Sequence, residues 1–351
     1  MKQKTWLRVL AFAAAPALPL ILAPREMADG VREGLALCGS VVIPSLFPFF
    51  VLCTFLVRTG LGADLGRLLS PLTEKAFRLP GNAAGAILLG LCGGYPVGAR
   101  MTAQLYAREE LTQAQAERMC LFCVAAGPVF VTGTVGAGML RSAAAGRLLW
   151  AAVTLSCLTL GVLLRFTDDA PARVLETTRR EDVCESLCAA VADGGRGMLS
   201  MCAWVILFSG ICRACARLPA GAGLAAGCLL EVTGGCRLAA AEGLPLPLIA
   251  GILGFGGLSV QCQLLPYVTA CGVKPSRFWA FRLLGGGLAA VYAMALLRLF
   301  PQAAPAALLR QGQTLRLSGA SVPASVSLLC TAAVFILNTA EEGKKPFLKK
   351  S

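Results

Sequence analysis

The sequence predicts an all-α polytopic membrane protein, with about eight transmembrane helices plus two re-entrant helical hairpins in an inverted-topology repeat. Three observations carry that prediction. The 351 residues are 56% hydrophobic and only 15% charged, against about a quarter charged in soluble domains, and several windows reach the ~20 apolar residues that span a bilayer. Two shorter apolar runs break at glycine-rich tips and then restart. The order of hairpin, broken span and plain span also occurs twice along the chain.

The elements follow in order. Lys2, Lys4 and Arg8 lead into an apolar run from Trp6 to Ala23. Pro24 directly after it is a poor cleavage context, so residues 1–30 read as a retained signal-anchor helix. Arg25 to Glu33 reads as a short charged loop. Leu35 to Val57 is the next span, kinked by Pro44 and Pro48. Arg58 to Leu79 is a polar connector in which Leu61, Leu65, Leu68, Leu69 and Leu72 mark an amphipathic helix.

The first hairpin is expected over residues 82–106. Its apolar run from Ala83 to Leu91 is too short to cross, and it breaks at Gly93-Gly94-Tyr95-Pro96. Glycine permits a positive φ at such a tip, and proline suits the first turn of the helix that follows. Thr112 with Gln115 three residues on is a capping box for the next helix. That span, 119–140, is broken at Ala126-Gly127-Pro128. Leu148 to Leu164 is a plain span, and the charged stretch 166–183 links two repeats, 31–165 and 184–300.

In the second repeat, Cys184 to Met198 either lies in the interface or continues into Leu199 to Ile211 as one tilted helix. A second hairpin, 220–243, breaks at Glu231-Val232-Thr233-Gly234-Gly235 and restarts through Arg237. The span 246–271 is again broken, around Gly254 to Ser259, with Gln261 and Gln263 beyond it. Phe281 to Leu299 is a plain span. Residues 301–351 hold a loop, a last helix over Val322 to Leu337 and a basic tail.

The net charge of +13 is spread over the loops between spans, which fits positive-inside topology rather than a nucleic-acid partner. With the N-terminus inside and both hairpins returning to their own side, inside loops hold roughly a two-to-one excess of Lys and Arg. Arg282 counts among the inside charges and Arg196 stays unassigned. The first hairpin then enters from the inside and the second from the outside, as in secondary transporters. The chain has no histidine, and its sixteen cysteines are scattered. Cys120-x-x-Cys123 and Cys212-x-x-Cys215 are single pairs within helices, so neither zinc nor redox chemistry is expected. With no Gly-x-x-x-x-Gly-Lys-Ser/Thr loop and no paired carboxylates at depth, the chain reads as no ATP-driven machine and no enzyme, with no cofactor.

Irregular backbone at membrane depth survives where protein or a wet cavity satisfies it, so the four breaks are the candidate substrate site. From the first repeat these are Gly93, Gly94, Tyr95 and Pro96 with Arg100, then Gly127 and Pro128. From the second they are Glu231, Thr233, Gly234 and Gly235 with Arg237, then Gly256, Gly257, Ser259, Gln261 and Gln263. Half-helix starts near Pro96, Pro128, Thr233 and Ser259 favour a small-molecule anionic substrate. Arg100 and Arg237 either grip the two ends of a dicarboxylate or snorkel to opposite interfaces. Glu231 could bind a coupling cation or proton, pair with Arg237, or mark a shallower hairpin. Tyr95 either stacks on a ligand ring or packs.

Taken in order, Gly93-Gly94-Tyr95-Pro96-Val97-Gly98-Ala99-Arg100, Gly127-Pro128, Glu231-Val232-Thr233-Gly234-Gly235 and Gly256-Gly257-Leu258-Ser259-Val260-Gln261-Cys262-Gln263 resemble the YlbJ (SpoVV-like) family of sporulation integral membrane proteins, built from two nucleoside-recognition Gate domains. The resemblance covers about Val31 to Leu299. Two positions depart from the family pattern: Ala125-Ala126 stand where it carries polar residues, and Gln261 stands where it carries a histidine. The resemblance implies a spore-forming bacterium, a mother-cell or outer forespore membrane, and dipicolinate as cargo. The wider Gate likeness is to nucleoside carriers, whose neutral contacts Gln261 and Gln263 would suit. A third reading is a non-transporting protein of spore envelope assembly.

Overall fold

The computed structural model describes residues 19–167 and 180–303, all helix and connection with no strand among them. Most of the expected span over Trp6 to Ala23, all of that over Val322 to Leu337 and most of the linker 166–183 lie outside the described residues. Helix α1, Pro24–Thr59, is one 36-residue element, about 54 Å long at 1.5 Å per residue. It absorbs the stretch expected to be a charged loop, and with it residues 24–30 of the supposed signal-anchor. The reason is lateral: Glu26 pairs with Arg217, and Glu33 pairs with Arg213 at 3.7 Å. Pro44 is accommodated by a wide π-turn over Cys38–Val42, since proline leaves the carbonyl one turn back without its donor.

Amphipathic α2 spans Leu61–Phe77. Then come the short pair α3, Ala83–Gly93, and α4, Tyr95–Ala107. Each is ~16–20 Å long, too short to cross a ~30 Å hydrocarbon core. Helix α5, Gln113–Phe122, starts from the expected capping box, Thr112 Oγ1 accepting from Gln115 N and Gln115 Oε1 from Thr112 N. Non-helical backbone over Cys123–Gly127 separates it from the π-wound α6, Val129–Met139. Helix α7 runs over Ala143–Leu164.

Helix α8, Val183–Cys215, is a single 33-residue element, which decides between the two readings of that stretch. A second short pair follows, α9, Ala220–Leu230, and α10, Val232–Ala241. The broken span is α11, Leu246–Phe255, and α12, Gly257–Ala270. Helix α13, Pro275–Leu299, starts a turn and a half earlier than expected, with proline in its first turn. Among the described residues five helices are long and apolar enough to cross a membrane: Pro24–Thr59, Ala143–Leu164, Val183–Cys215, Leu246–Ala270 and Pro275–Leu299.

The frame is the antiparallel pair α1 and α8. Small residues let their backbones approach, as is usual where lipid supplies no hydrophobic drive. A Cβ at Gly30 would lie 2.5 Å from the Ser209 carbonyl oxygen, and one at Gly34 would lie 2.9 Å from Ile206 Cα. Further along, Gly194 faces Phe47 and Val51. The two short pairs reach this frame from opposite ends. Gln104 of α4 bonds Thr54 near the end of α1, whereas Arg237 of α10 pairs with Glu33 near its start.

Each end is tied by one carboxylate bridging two arginines. Glu181, just before α8, holds Arg58 of α1 at 2.5 Å and Arg108, just past α4, at 2.7 Å. Glu33 of α1 holds Arg213 of α8 and Arg237 of α10. Beside the first cluster, burial pushes the Glu110 carboxyl above its ordinary value while the neighbouring Arg108 pulls it down.

Close packing at glycine sets a first prediction. A Cβ on Gly98 would overlap the Cys123 carbonyl oxygen, whereas one on Gly133 meets nothing within 4 Å. Gly98→Ala should cost about 1–3 kcal/mol through overpacking, seen as a lower unfolding midpoint of the purified protein in detergent. Gly133→Ala should stay within about 0.5 kcal/mol of the parent or gain slightly. Equal behaviour of the two variants would contradict the packing described.

Candidate functional site

The tips of both short pairs meet at one cavity of about 70 Å³, room for roughly five waters. Gly93 to Pro96, Gly127, Glu231, Thr233 and Gln263 border it, so eight of the sequence-predicted site residues come together here. Apart from Ser45, the remaining wall is apolar: α1 gives Leu46 and Phe49, α6 gives Val129 and Phe130, and α8 gives Met201 and Val205.

At the first tip, Gly94 has φ 96° and ψ 174°, open to glycine at little cost. It packs directly on the first break, because a Cβ on Gly127 would lie 3.1 Å from Gly94 N. No side chain caps the start of α4 or of α6. Val97 N and Val131 N are taken by the Gly94 and Gly127 carbonyls, so what both starts offer beside the cavity is chiefly the partial positive charge of the helix end. Pro128 is the N-cap of α6 and stands just outside the cavity lining.

The second tip is sharper than expected. Glu231 alone is extended, and Thr233, Gly234 and Gly235 already belong to α10. The Glu231 carboxylate, 4% exposed, accepts from Thr233 N at 3.0 Å and Gly234 N at 2.6 Å. That helix start is thus occupied by the chain's own anion, the ordinary capping arrangement. Gly235 serves packing instead, since a Cβ there would lie 2.7 Å from Cys228 Cα.

The second broken span turns at Gly256, φ 86°, and Gly257, φ 75°. Neither borders the cavity. Gly256 lies under the Tyr95 ring and Gly257 against Val232 N, so this break is plugged by both tips. The Tyr95 hydroxyl donates to the Leu253 carbonyl at 2.6 Å, making Tyr95 a structural lock as well as a cavity wall. Gln261 Nε2 donates to the Phe255 carbonyl, and Gln263 Nε2 donates to Ser259 Oγ. The Oε1 atoms of Gln261 and Gln263 are buried without a partner.

Two arginines sit differently from expectation. Arg237 does not face the cavity. Its side chain is 65% exposed and pairs with Glu33 at 3.2 Å. Arg282, counted from the sequence as a loop charge, is 2% exposed inside α13. It donates to the Val124 carbonyl at 2.6 Å, to Phe255 at 3.3 Å and to Gly254, with its guanidinium 5.9 Å from the Tyr95 ring. One side chain thereby serves both breaks. A basic residue at the second position of the apolar span Phe281 to Leu299 was the available signal. Arg100 is buried one turn beyond the cavity, 5.1 Å from the Phe50 ring.

Helical spans of this length, two short helix pairs whose tips meet at one cavity and two broken helices define an integral membrane protein of transporter-like architecture. Residues 40–145, from the π-turn of α1 through the first short pair and first break, match the Gate family, described as nucleoside recognition. The chain is similar to the sporulation integral membrane protein YlbJ of Bacillus subtilis (strain 168), 28% identical over 319 residues and covering 78% of each chain. No solved structure matches it. The resemblance carried by the motifs is borne out, and the protein is an integral protein of a bacterial membrane.

Arg282 yields the second prediction. Arg282→Met leaves three buried carbonyls without their charged donor, at about 1.5–3 kcal/mol each before relaxation. The variant should unfold at a markedly lower temperature or fail to accumulate in the membrane. Arg282→Lys, which keeps the charge and part of the bonding, should fall between. A Met variant as stable as the parent would show that the carbonyls find other partners.

Proposed function

We propose that this chain is a secondary transporter of a small organic anion, with dipicolinate the first cargo to test. The observation that carries the reading is the convergence of both short-pair tips and the first break on one cavity, with two uncapped helix starts beside it. Uncapped starts favour a carboxylate by about 0.3–1 kcal/mol each when exposed and up to about 2 when partly buried. In this reading the two short pairs are re-entrant hairpins of an inverted-topology repeat, 31–165 and 184–300. Their approach from opposite ends of α1 supports it. Glu231, carrying its own backbone donors beside the cavity, is the group that would exchange a proton or cation. Resemblance to a sporulation protein supports work at the mother-cell or outer forespore membrane.

A second reading, a nucleoside or nucleobase carrier, has its own support in the Gate description and in the unpartnered Gln263 Oε1 at the cavity. An acceptor there suits a base N–H or a sugar hydroxyl. The third reading, envelope assembly without transport, leaves the converging breaks without a purpose.

The test is uptake into proteoliposomes of labelled dipicolinate, with unlabelled dipicolinate, picolinate and uridine as competitors. Dipicolinate accumulation, blocked at least tenfold better by dipicolinate than by uridine, is the expected result. The reverse ranking would establish the nucleoside reading, and no flux of either would remove the carrier. A companion measurement checks topology. Cysteines introduced at the exposed Glu109 and Glu242, in a background without the native cysteines, should react with an impermeant thiol reagent from opposite faces. Labelling of both from one face contradicts the inverted repeat.

A further inference from the structure

We propose that Arg100 is the centre of a second anion-binding site, one helical turn beyond the cavity toward the Glu181 end, that takes a carboxylate or small oxyanion. Three helices give the position independently. On α4, Pro96 borders the cavity and Arg100 follows four residues later. On α1, Leu46 and Phe49 border it, and Phe50 and Cys53 follow. On the antiparallel α8, Met201 borders it and Gly197 precedes. A Cβ on Gly197 would overlap Arg100 Nη1, so the glycine makes room for the guanidinium.

The guanidinium is chemically incomplete. Arg100 is 6% exposed and rests against the Phe50 ring. Among the described residues no carboxylate lies within ion-pair distance of it and no oxygen accepts from it. Removing a cation from water costs several kcal/mol, and an aromatic face returns only about 2. Each neighbouring arginine of the same ladder has its acid: Arg58 and Arg108 share Glu181, and Arg108 also reaches Glu110. Arg100 is the one rung whose counter-charge the ladder leaves to be supplied from outside.

The surroundings extend the site. Arg100, Gln104 and Arg108 recur at four-residue spacing on one face of α4 and its end, opposite Phe50, Thr54 and Arg58 on α1. Gln104 Nε2 donates to Thr54 Oγ1 at 3.1 Å, while Gln104 Oε1 and Arg58 Nε are buried with no partner. Of these two atoms only Arg58 Nε can donate, so it is the second unmet donor of the ladder, toward the Glu181 end, while Gln104 Oε1 is an acceptor and offers an anion nothing. Arginine matches a carboxylate or oxyanion with two parallel bonds.

The experiment does not depend on transport. Purified protein in detergent is titrated with sodium dipicolinate, picolinate and sulfate, each against sodium chloride at equal ionic strength, with uridine as neutral control and the unfolding midpoint as readout. At least one anion should raise the parent midpoint. Arg100→Gln should shift the half-saturating concentration upward tenfold or more, and Arg100→Lys by less. Gly197→Ala, which displaces the guanidinium without removing it, should weaken the response in the same direction and decides the matter if Arg100→Gln does not fold. A parent that responds to no anion overturns the proposal. So does an Arg100→Gln protein with a lower resting midpoint but an unchanged anion response, the signature of a purely structural arginine. An intact anion response without uptake in proteoliposomes would remove the carrier reading and leave this site standing.

Discussion

The structure depends on how its broken helices satisfy their own carbonyls. A helix that stops at membrane depth exposes its last C=O groups where lipid offers no donor, at several kcal/mol for each one left unmet. Arg282 meets that cost at both breaks, donating to Val124 in the first and to Gly254 and Phe255 in the second. Tyr95 and Gln261 take Leu253 and Phe255. Because Tyr95 comes from the first tip and Arg282 from the last described span, this bonding also joins the two repeats. The irregular backbone around the cavity is therefore fixed by donors on regular helices, which is the condition for a precise site.

Much of this was legible in the sequence, because glycine and proline announce irregular backbone directly. Gly94, Gly127-Pro128 and Gly256 broke their elements where expected, and Thr112 with Gln115 capped the helix it was read to cap. Residues whose role depends on a neighbour in space were not legible. Glu231-Val232-Thr233-Gly234-Gly235 reads as a five-residue break until the Glu231 carboxylate is seen on Thr233 N and Gly234 N, with both glycines already helical. Arg237 and Arg282 have similar local surroundings in sequence, each a single basic residue among apolar and small ones. One faces Glu33 and solvent and the other faces two helix ends, and only packing separates them. The charged stretch Arg25 to Glu33 looked like a loop because its partners, Arg213 and Arg217, lie about 180 residues away.

The two ends of the α1–α8 frame share a pattern but differ in setting. At one end Glu181 bridges Arg58 and Arg108, with side chains 16–29% exposed. At the other Glu33 bridges Arg213 and Arg237, with side chains 42–65% exposed. Exposed pairs contribute about 0–1 kcal/mol and weaken with salt, whereas shielded ones keep more of their Coulomb energy. The second short pair is thus held to the frame more loosely than the first, and salt loosens it further.

That asymmetry bears on how a ligand could reach the cavity. About 70 Å³ holds a few waters, well below the several hundred Å³ of sites that enclose drug-sized molecules. A ring with two carboxylates fits only if one wall withdraws. The α1–α8 frame is a poor candidate, since Gly30, Gly34 and Gly194 bring its backbones into direct contact along most of its length. The first tip is pinned by Tyr95 on Leu253 and by Gly94 packed on Gly127. The second tip is bonded chiefly to itself through Glu231, and its outer end carries the solvent-exposed Arg237 pair. Of the walls around the cavity, the stretch from Glu231 to Thr233 at the start of α10 is bonded mainly within its own element, whereas the Glu181 bridge ties the opposite end to the frame.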